Sequence, residues 1–353
     1  MGRYLIVGAG LVGAALAERL ARAEAEVVVV AEGPGRATEA SFGWLNASTA
    51  RDPTYVALRA AGLAAWRRRA PDLGATAPAW SGTLALDAPG DAGELAALGR
   101  DLARLDPAAV SALEPALAVS GPALRFPREG AIAPGPAARK LLSLAAANGA
   151  RLLLGQRVLS ILADDGEAVG VETSSGLVLA DHTILAAGTG VAELLAPLAV
   201  ALPLRHRPGE LLITAPAPAM LRHVLVTPER EIRQDATGRF LIPSSPAPAA
   251  HGAVTGLERP FDMDDIARAS LAVLRRFLPV GDLDYECILS AARPVPGDGL
   301  PVIGPTGIDG LSLAVMHSGA TLAAIAAELL ADELKTGISQ DLLAPYRLTR
   351  FRT

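Results

Sequence analysis

Cysteine is almost missing from this 353-residue chain. Cys287 stands alone, which excludes a disulfide framework and any metal site built from several thiolates, and makes a reducing cytoplasm the simplest setting. Lysine is nearly as scarce: among 32 basic residues only Lys140 and Lys335 are lysines, and no basic run occurs. With a formal net charge of −5, the chain lacks the concentrated positive charge that a nucleic-acid backbone demands. The five histidines (His182, His206, His223, His251 and His317) show no ligand spacing, so no metal is expected. Uninterrupted apolar runs long enough to span a bilayer are also missing, so no transmembrane segment is expected. Apolar residues are abundant, at 51% against 20% charged, enough over this length to bury the cores of two domains.

The N-terminus carries the most information. An apolar strand, Tyr4-Leu5-Ile6-Val7, runs into Gly8-Ala9-Gly10-Leu11-Val12-Gly13 and then a helix over 12–23. Gly8 permits a tight turn, Gly10 lets the backbone approach a pyrophosphate, and Gly13 lets the helix pack close to the strand. The helix N-terminus offers its unpaired N–H groups to the anion. A second strand over 27–31 ends on Glu32, roughly twenty residues on, where a carboxylate accepts both ribose hydroxyls and repels a 2′-phosphate. Strand, glycines, helix, strand and acid in this order predict a dinucleotide cradle. Read as a secretory signal the same run fails: Glu18-Arg19 stands where small residues would be needed, and a strand follows directly.

The middle of the chain reads as alternating strands with few helices, an antiparallel sheet covering a cofactor domain. The segment Ala40-Ser41-Phe42-Gly43-Trp44 holds two aromatics among small residues, placed either to cap a core or to lie along a bound cofactor. A helix is predicted over 54–69 with Leu58, Ala61, Leu63 and Trp66 inward and Arg67-Arg68-Arg69 as a solvated end. Further helices are predicted over 92–105 and 136–148, a β-meander over 151–180, and strands over 209–214, 223–227, 231–234, 239–242 and 284–292. A Pro/Ala/Gly loop is read over 247–256 and a helix N-capped by Asp262. Near the C-terminus a buried strand meets Met316-His317-Ser318-Gly319-Ala320-Thr321, which opens a helix; Ser318 and Thr321 there either cap the helix or touch a cofactor.

Taken together, the glycine turn with Glu32, the Ala40-Ser41 loop, Ile184-Leu185-Ala186-Ala187-Gly188, Arg293-Pro294 with Asp298-Gly299-Leu300-Pro301-Val302-Ile303-Gly304, and His317 to Leu322 resemble the D-amino-acid oxidase / glycine oxidase family of FAD-dependent oxidoreductases. The resemblance covers nearly the whole chain. It implies an α/β fold: a Rossmann-like FAD-binding domain (1–50, 136–200 and 290–353) beneath a mixed or antiparallel-sheet substrate domain (51–135 and 201–289).

For FAD, it implies contacts from Gly8, Gly10, Leu11, Val12, Gly13, Glu32, Ala40, Ser41, Val158, Ala187, Gly188, Ser318, Gly319 and Thr321. Arg293 matches the arginine that forks onto a substrate carboxylate, and His317 is the second candidate catalytic residue. Trp44, Glu231 and Arg233 are candidate pocket residues; period-two alternation puts Glu231 and Arg233 on one face and Ile232 and Gln234 on the other, so that either the charged pair faces the flavin or it faces solvent and Ile232 and Gln234 line the pocket.

The implied reaction is oxidation of the C–N bond of an amino acid or secondary amine, the imine then hydrolysing. Cys287 lies upstream of the loop that carries a covalent flavin link in some members, so noncovalent FAD is expected. No lysine matches the one that helps activate oxygen in sarcosine-oxidase-like members. Oxygen, a quinone or a protein acceptor therefore stay open as electron sinks, as do a dehydrogenase, a FAD-bearing subunit of a larger complex, and a homo- or hetero-oligomer.

Overall fold

The computed structural model describes residues 2–86, 93, 97, 101–118, 121–244 and 262–351. The valine- and isoleucine-rich runs at the N-terminus form the middle of a six-stranded sheet. Its order is Val302–Pro305, Leu311–Val315, His182–Leu185, Arg3–Ala9, Glu26–Pro34, Arg151–Leu154. All neighbours are parallel except Val302–Pro305 against Leu311–Val315. These strands are apolar without alternation because both faces are covered. Ile6, Val29 and Ile184 pack on helices Leu11–Arg22, Pro134–Ala147 and Gly319–Thr336, while Leu5, Val28 and Leu185 pack on the other side with Ile161, Ala168 and Val171. Those last three belong to an antiparallel meander of Val158–Asp164, Glu167–Thr173 and Gly176–Leu179.

A second sheet has eight strands, in the order Tyr285–Pro296, Leu204–Pro216, Arg239–Pro243, Glu231–Gln234, Val224–Val226, Thr83–Leu86, Ala123–Phe126, Ala103–Leu105. It is mixed, because Val224–Val226 runs parallel to Thr83–Leu86. Ile232, Phe240 and Ile242 bury one face against Leu271 and Leu274 of the helix Met263–Phe277, which Asp262 caps by accepting from Asp264 N. The fold is therefore α/β, a parallel sheet beneath a mixed one. No helix among the described residues is long and apolar enough to cross a membrane.

Several expectations need correction. Arg151–Leu154 is the outer strand of the parallel sheet and not part of the meander: its alternate residues find a partner in Val28 to Ala31, far away in sequence. Half of 92–105 lies outside the described residues, and its end, Ala103–Leu105, is a strand against Ala123–Phe126 and not a helix. The loop over 247–256 also lies outside the described residues. The strand expected to stop at 292 continues to Pro296, paired along Leu204–Pro216, so Arg293 is a strand residue.

The helix after Asp52 runs to Leu73, with Tyr55, Leu58, Leu63, Trp66 and Leu73 in the core of the parallel sheet's helices, although the expected division placed 51–135 in the substrate domain. Arg67 and Arg68 of its arginine triplet are exposed as expected, but the helix does not end there, because Leu73 completes the apolar face four residues after Arg69. Arg67 stacks 3.8 Å from the Trp80 ring centre, Arg68 pairs with Glu328, and Arg69 pairs with the buried Glu18 at 2.5 Å.

Candidate active site

The two sheets enclose a cavity of about 1950 Å³. Drug-sized ligands occupy roughly 300–1,000 Å³, so this space suits a dinucleotide together with a small substrate. One end is the glycine turn. Gly8 has φ +117°, and a Cβ there would lie 2.5 Å from Ala186 O, so the turn is pressed onto the neighbouring strand. At Gly13 a Cβ would stand 2.0 Å from Gly8 O. The start of the helix Leu11–Arg22 can reach the strand end only because that atom is missing. The end of the strand Glu26–Pro34 and the short helix Arg36–Glu39 fold onto the turn: a Cβ on Gly35 would meet Gly10 Cα at 2.6 Å, and Leu11 N donates to Thr38 Oγ1 at 3.0 Å. Gly10, Leu11 and Val12 face the cavity, as does the exposed Glu32. Val158 borders the same end beside Gln156, whose N–H is tied to Ala31 O at 3.1 Å. Ala187 and Gly188 complete this wall, Gly188 at φ +58°.

The middle is built from the loop after Ala40. The Ser41 hydroxyl accepts from Gly43 N at 3.2 Å, closing a turn in which Gly43 (φ +74°) lies so near Ile132 that a Cβ would be 2.0 Å from its carbonyl oxygen. Trp44 Nε1 donates to Thr83 Oγ1 at 2.9 Å, fixing the indole on the cavity wall. Behind the loop sits Glu129, whose carboxylate accepts from Ala47 N at 2.8 Å, Ser48 N at 2.7 Å and Ser48 Oγ at 3.1 Å. Burial pushes this carboxyl above its ordinary range, against those donors, which pull it down.

Thr321 is 1% exposed, with its hydroxyl donating to Trp44 O at 3.2 Å and accepting from Asn46 N at 3.3 Å, so its side chain joins helix to loop. Ser318 makes no capping bond to the helix Gly319–Thr336; its Oγ accepts from Tyr55 Oη at 3.1 Å and from Arg59 Nη1 at 3.0 Å.

Arg293, Glu231 and His317 line the same cavity. Arg293 projects beside Gly209, where a Cβ would lie 2.8 Å from the guanidinium Nε, and its Nη2 donates to Pro208 O at 3.0 Å. Burial and the neighbouring Arg207 draw its pKa down, and Glu210 and Glu231 oppose that. Glu231 is 7% exposed on the strand Glu231–Gln234, and burial raises its carboxyl to about 7 while Arg230 and Arg293 pull the other way.

The alternation holds: Ile232 is in the roof core, and Gln234 turns to Met220 N and Leu221 N. Arg233 does not reach the cavity. Its Nε donates to Phe42 O at 2.6 Å and its guanidinium lies 5.5 Å from the Phe42 ring centre, a clasp between roof and floor. Burial lowers its pKa to about 10, so it keeps its charge.

Thr38, Asn46, Tyr55, Arg59, Thr83 and Glu129 escaped the sequence reading. One sign was available for Arg59: it stands four residues after Tyr55 on the apolar stripe of its helix, where an arginine has no solvent to face.

The family described as FAD dependent oxidoreductase (DAO) matches residues 3–333. The chain is similar to a bifunctional ThiO/ThiG protein of Trichormus variabilis, 28% identical over 61% of this chain and 32% of that protein. It is also similar to a glycine oxidase of Pseudomonas aeruginosa, 33% identical over 48% of this chain and 46% of that one. The chain thus spans from a third to a half of the length of these relatives. The crystal structure of glycine oxidase from Geobacillus kaustophilus superposes over 100% of both chains with a TM-score of 0.84 at 23% identity, which speaks for the fold. A match running from the first strand almost to the end of the last helix takes in every wall of the cavity, so the chain belongs to the DAO family of FAD-dependent oxidoreductases, with FAD as its cofactor.

Proposed function

We propose that this protein oxidises the C–N bond of a small amino acid or secondary amine. One observation carries the reading: Arg293 and Glu231, close enough to influence each other's charge, line the same cavity as a dinucleotide cradle. A guanidinium offers two parallel donors to a carboxylate, and a carboxylate opposite it suits an ammonium. FAD fits the residues present. The helix start at Leu11–Gly13 receives the pyrophosphate, Glu32 the ribose, the backbone near Val158 the adenine, and the 317–319 segment the ring end. Bound FAD accepts the hydride equivalent, while the chain supplies orientation and charge.

The flavin is held noncovalently: Cys287 pairs with Ile213 inside the roof sheet and does not border the cavity. The parallel sheet with its helices, Pro53–Leu73 included, carries the cofactor, and the eight-stranded sheet carries the substrate end. The protein works in the cytoplasm. Oxygen or another acceptor reoxidises the flavin, alone or in an oligomer.

Purified protein is expected to be yellow, to release all its flavin on acid precipitation, and to bleach under anaerobic conditions with a member of an amino-acid and secondary-amine panel. Colour left in the pellet refutes noncovalent attachment, and a flavin that no amine bleaches refutes the reaction.

Glu231 gives the reading a pH signature. Its raised carboxyl is neutral well below pH 7 and ionised above it, whereas Arg293 stays charged throughout. A quaternary-ammonium carboxylate, whose own charges are constant over this range, is expected to bind about tenfold more tightly at pH 8 than at pH 6, as the ionised fraction rises. Flavin difference spectra measure this. Glu231→Gln should bind weakly and without pH dependence, and a flat wild-type profile removes Glu231 from substrate recognition.

A further inference from the structure

Arg293 has a second arginine beside it. Antiparallel pairing sets Arg207, on the strand Leu204–Pro216, directly opposite Arg293 on Tyr285–Pro296. Side chains paired in this way project from one face of the sheet, and their neighbours show which face it is. Leu212 and Ile288, another opposed pair, turn into the roof core, whereas Arg207, Gly209 and Leu211 border the cavity together with Arg293. The two guanidiniums are near enough for Arg207 to help draw the pKa of Arg293 down.

Like charges directly opposite each other destabilise a sheet. Nothing among the described residues offsets this at Arg207: it is half-buried, no carboxylate forms an ion pair with it, and no oxygen accepts from its guanidinium. Other arginines of the same sheet are treated differently. Arg205 donates to Gly297 O at 2.8 Å, and Arg239 pairs with Glu286 at 2.7 Å. Of the acids near the opposed pair, Glu210 is engaged by the Ser244 hydroxyl and Glu231 faces the cavity. Two cations side by side on one wall, with one acid close by, match a ligand that carries two negative charges and one positive charge.

We propose that Arg207 is the subsite for a second carboxylate, so that the substrate is a dicarboxylic amine. Arg293 holds the carboxylate next to the C–N bond, Arg207 holds the other, and Glu231 meets the ammonium. Opposed Cβ atoms start about 5 Å apart, so both carboxylates sit on one short chain, as in an amino acid with a short acidic side chain or an N-carboxyalkylated one. Each guanidinium offers a carboxylate two parallel donors, and the bound dianion replaces the repulsion between the cations with two attractions. The second carboxylate adds recognition and no chemical step. The inference rests on the proposed function in assigning Arg293 to a carboxylate.

Unreactive ligands test recognition apart from turnover. Succinate and propionate differ by one carboxylate, and succinate is expected to perturb the flavin spectrum of the holoenzyme at about tenfold lower concentration. Arg207→Gln should abolish this preference, and Arg207→Lys should keep part of it, because an ammonium retains the charge without the fork. Since Arg207→Gln relieves a like-charge opposition, it should melt no lower than wild type, which separates lost recognition from damage. Equal affinity for the two ligands in wild type, or a preference that survives in Arg207→Gln, overturns the proposal. Equal weakening of both ligands in that variant also overturns it, because Arg207 would then share the first carboxylate. Loss of flavin from the variant overturns it in favour of a contact to the cofactor. A succinate preference that depends on Arg207, in a protein whose flavin no amine bleaches, would leave this inference standing and the proposed reaction refuted.

Discussion

Gly13→Ala is expected to give a protein that no longer retains FAD through purification and unfolds at lower temperature. The added Cβ would stand 2.0 Å from Gly8 O and 3.4 Å from Ile6 Cγ2, and the first of these atoms is backbone that cannot rotate away. Gly8 has no slack of its own, since it holds φ +117° against Ala186 O. The helix Leu11–Arg22 must therefore retreat from the strand, and its first N–H groups move away from the pyrophosphate they would meet. Overpacking of this kind costs about 1–3 kcal/mol, and a clash against backbone belongs at or beyond the upper end. At roughly 2–4 °C per kcal/mol for a domain of this size, a melting temperature lower by some 6–12 °C is expected. Calorimetry and the ratio of flavin to protein absorbance check both parts. Full flavin content with an unshifted melting temperature would show that the helix does not need the contact.

That glycine was legible because its reason is local: strand, turn and helix lie within a few residues, and so does the geometric demand each makes. That Glu231 and Arg233 share a strand face opposite Ile232 and Gln234 was legible for a similar reason, because alternation is a property of the backbone, but which face turns toward the cavity was not. Arg59 was not, since its meaning depends on Asn46 and on Ser318, the latter 259 residues away in sequence. Arg233 looked equivalent to Glu231, and only the arrival of Phe42 from the floor turned it into a clasp. The strand Arg151–Leu154 was recognised but given to the wrong sheet, because pairing is decided by which edge is exposed in three dimensions and Glu26–Pro34 presented one. Helix ends misled where charge and packing conflict: three arginines after Trp66 suggested a terminus, but Leu73 still had a core to enter and Glu18 a charge to offer.

The largest effect on activity is expected from Arg293→Ala. The strand Tyr285–Pro296 carries the guanidinium into the cavity, and Gly209 on the adjacent strand is the space it occupies. Removing one partner of a desolvated charge pair costs about 2–5 kcal/mol, so the substrate constant for a carboxylated amine should rise about 30-fold to several thousand-fold. Arg293→Lys should restore only part, because an ammonium lacks the two parallel donors of the fork. FAD content should be unchanged, since Arg293 makes no contact with the glycine turn that forms the cradle.

Two comparisons separate recognition of the carboxylate from general damage. An amine of the same shape without a carboxylate should be nearly indifferent to Arg293→Ala. Gly209→Val, which leaves Arg293 in place but puts a side chain where a Cβ already approaches Nε to 2.8 Å, should imitate the alanine variant by pushing the guanidinium aside. Steady-state kinetics on the paired substrates measure both. Equal losses on the two substrates would mean that Arg293 shapes the pocket and does not bind the carboxylate.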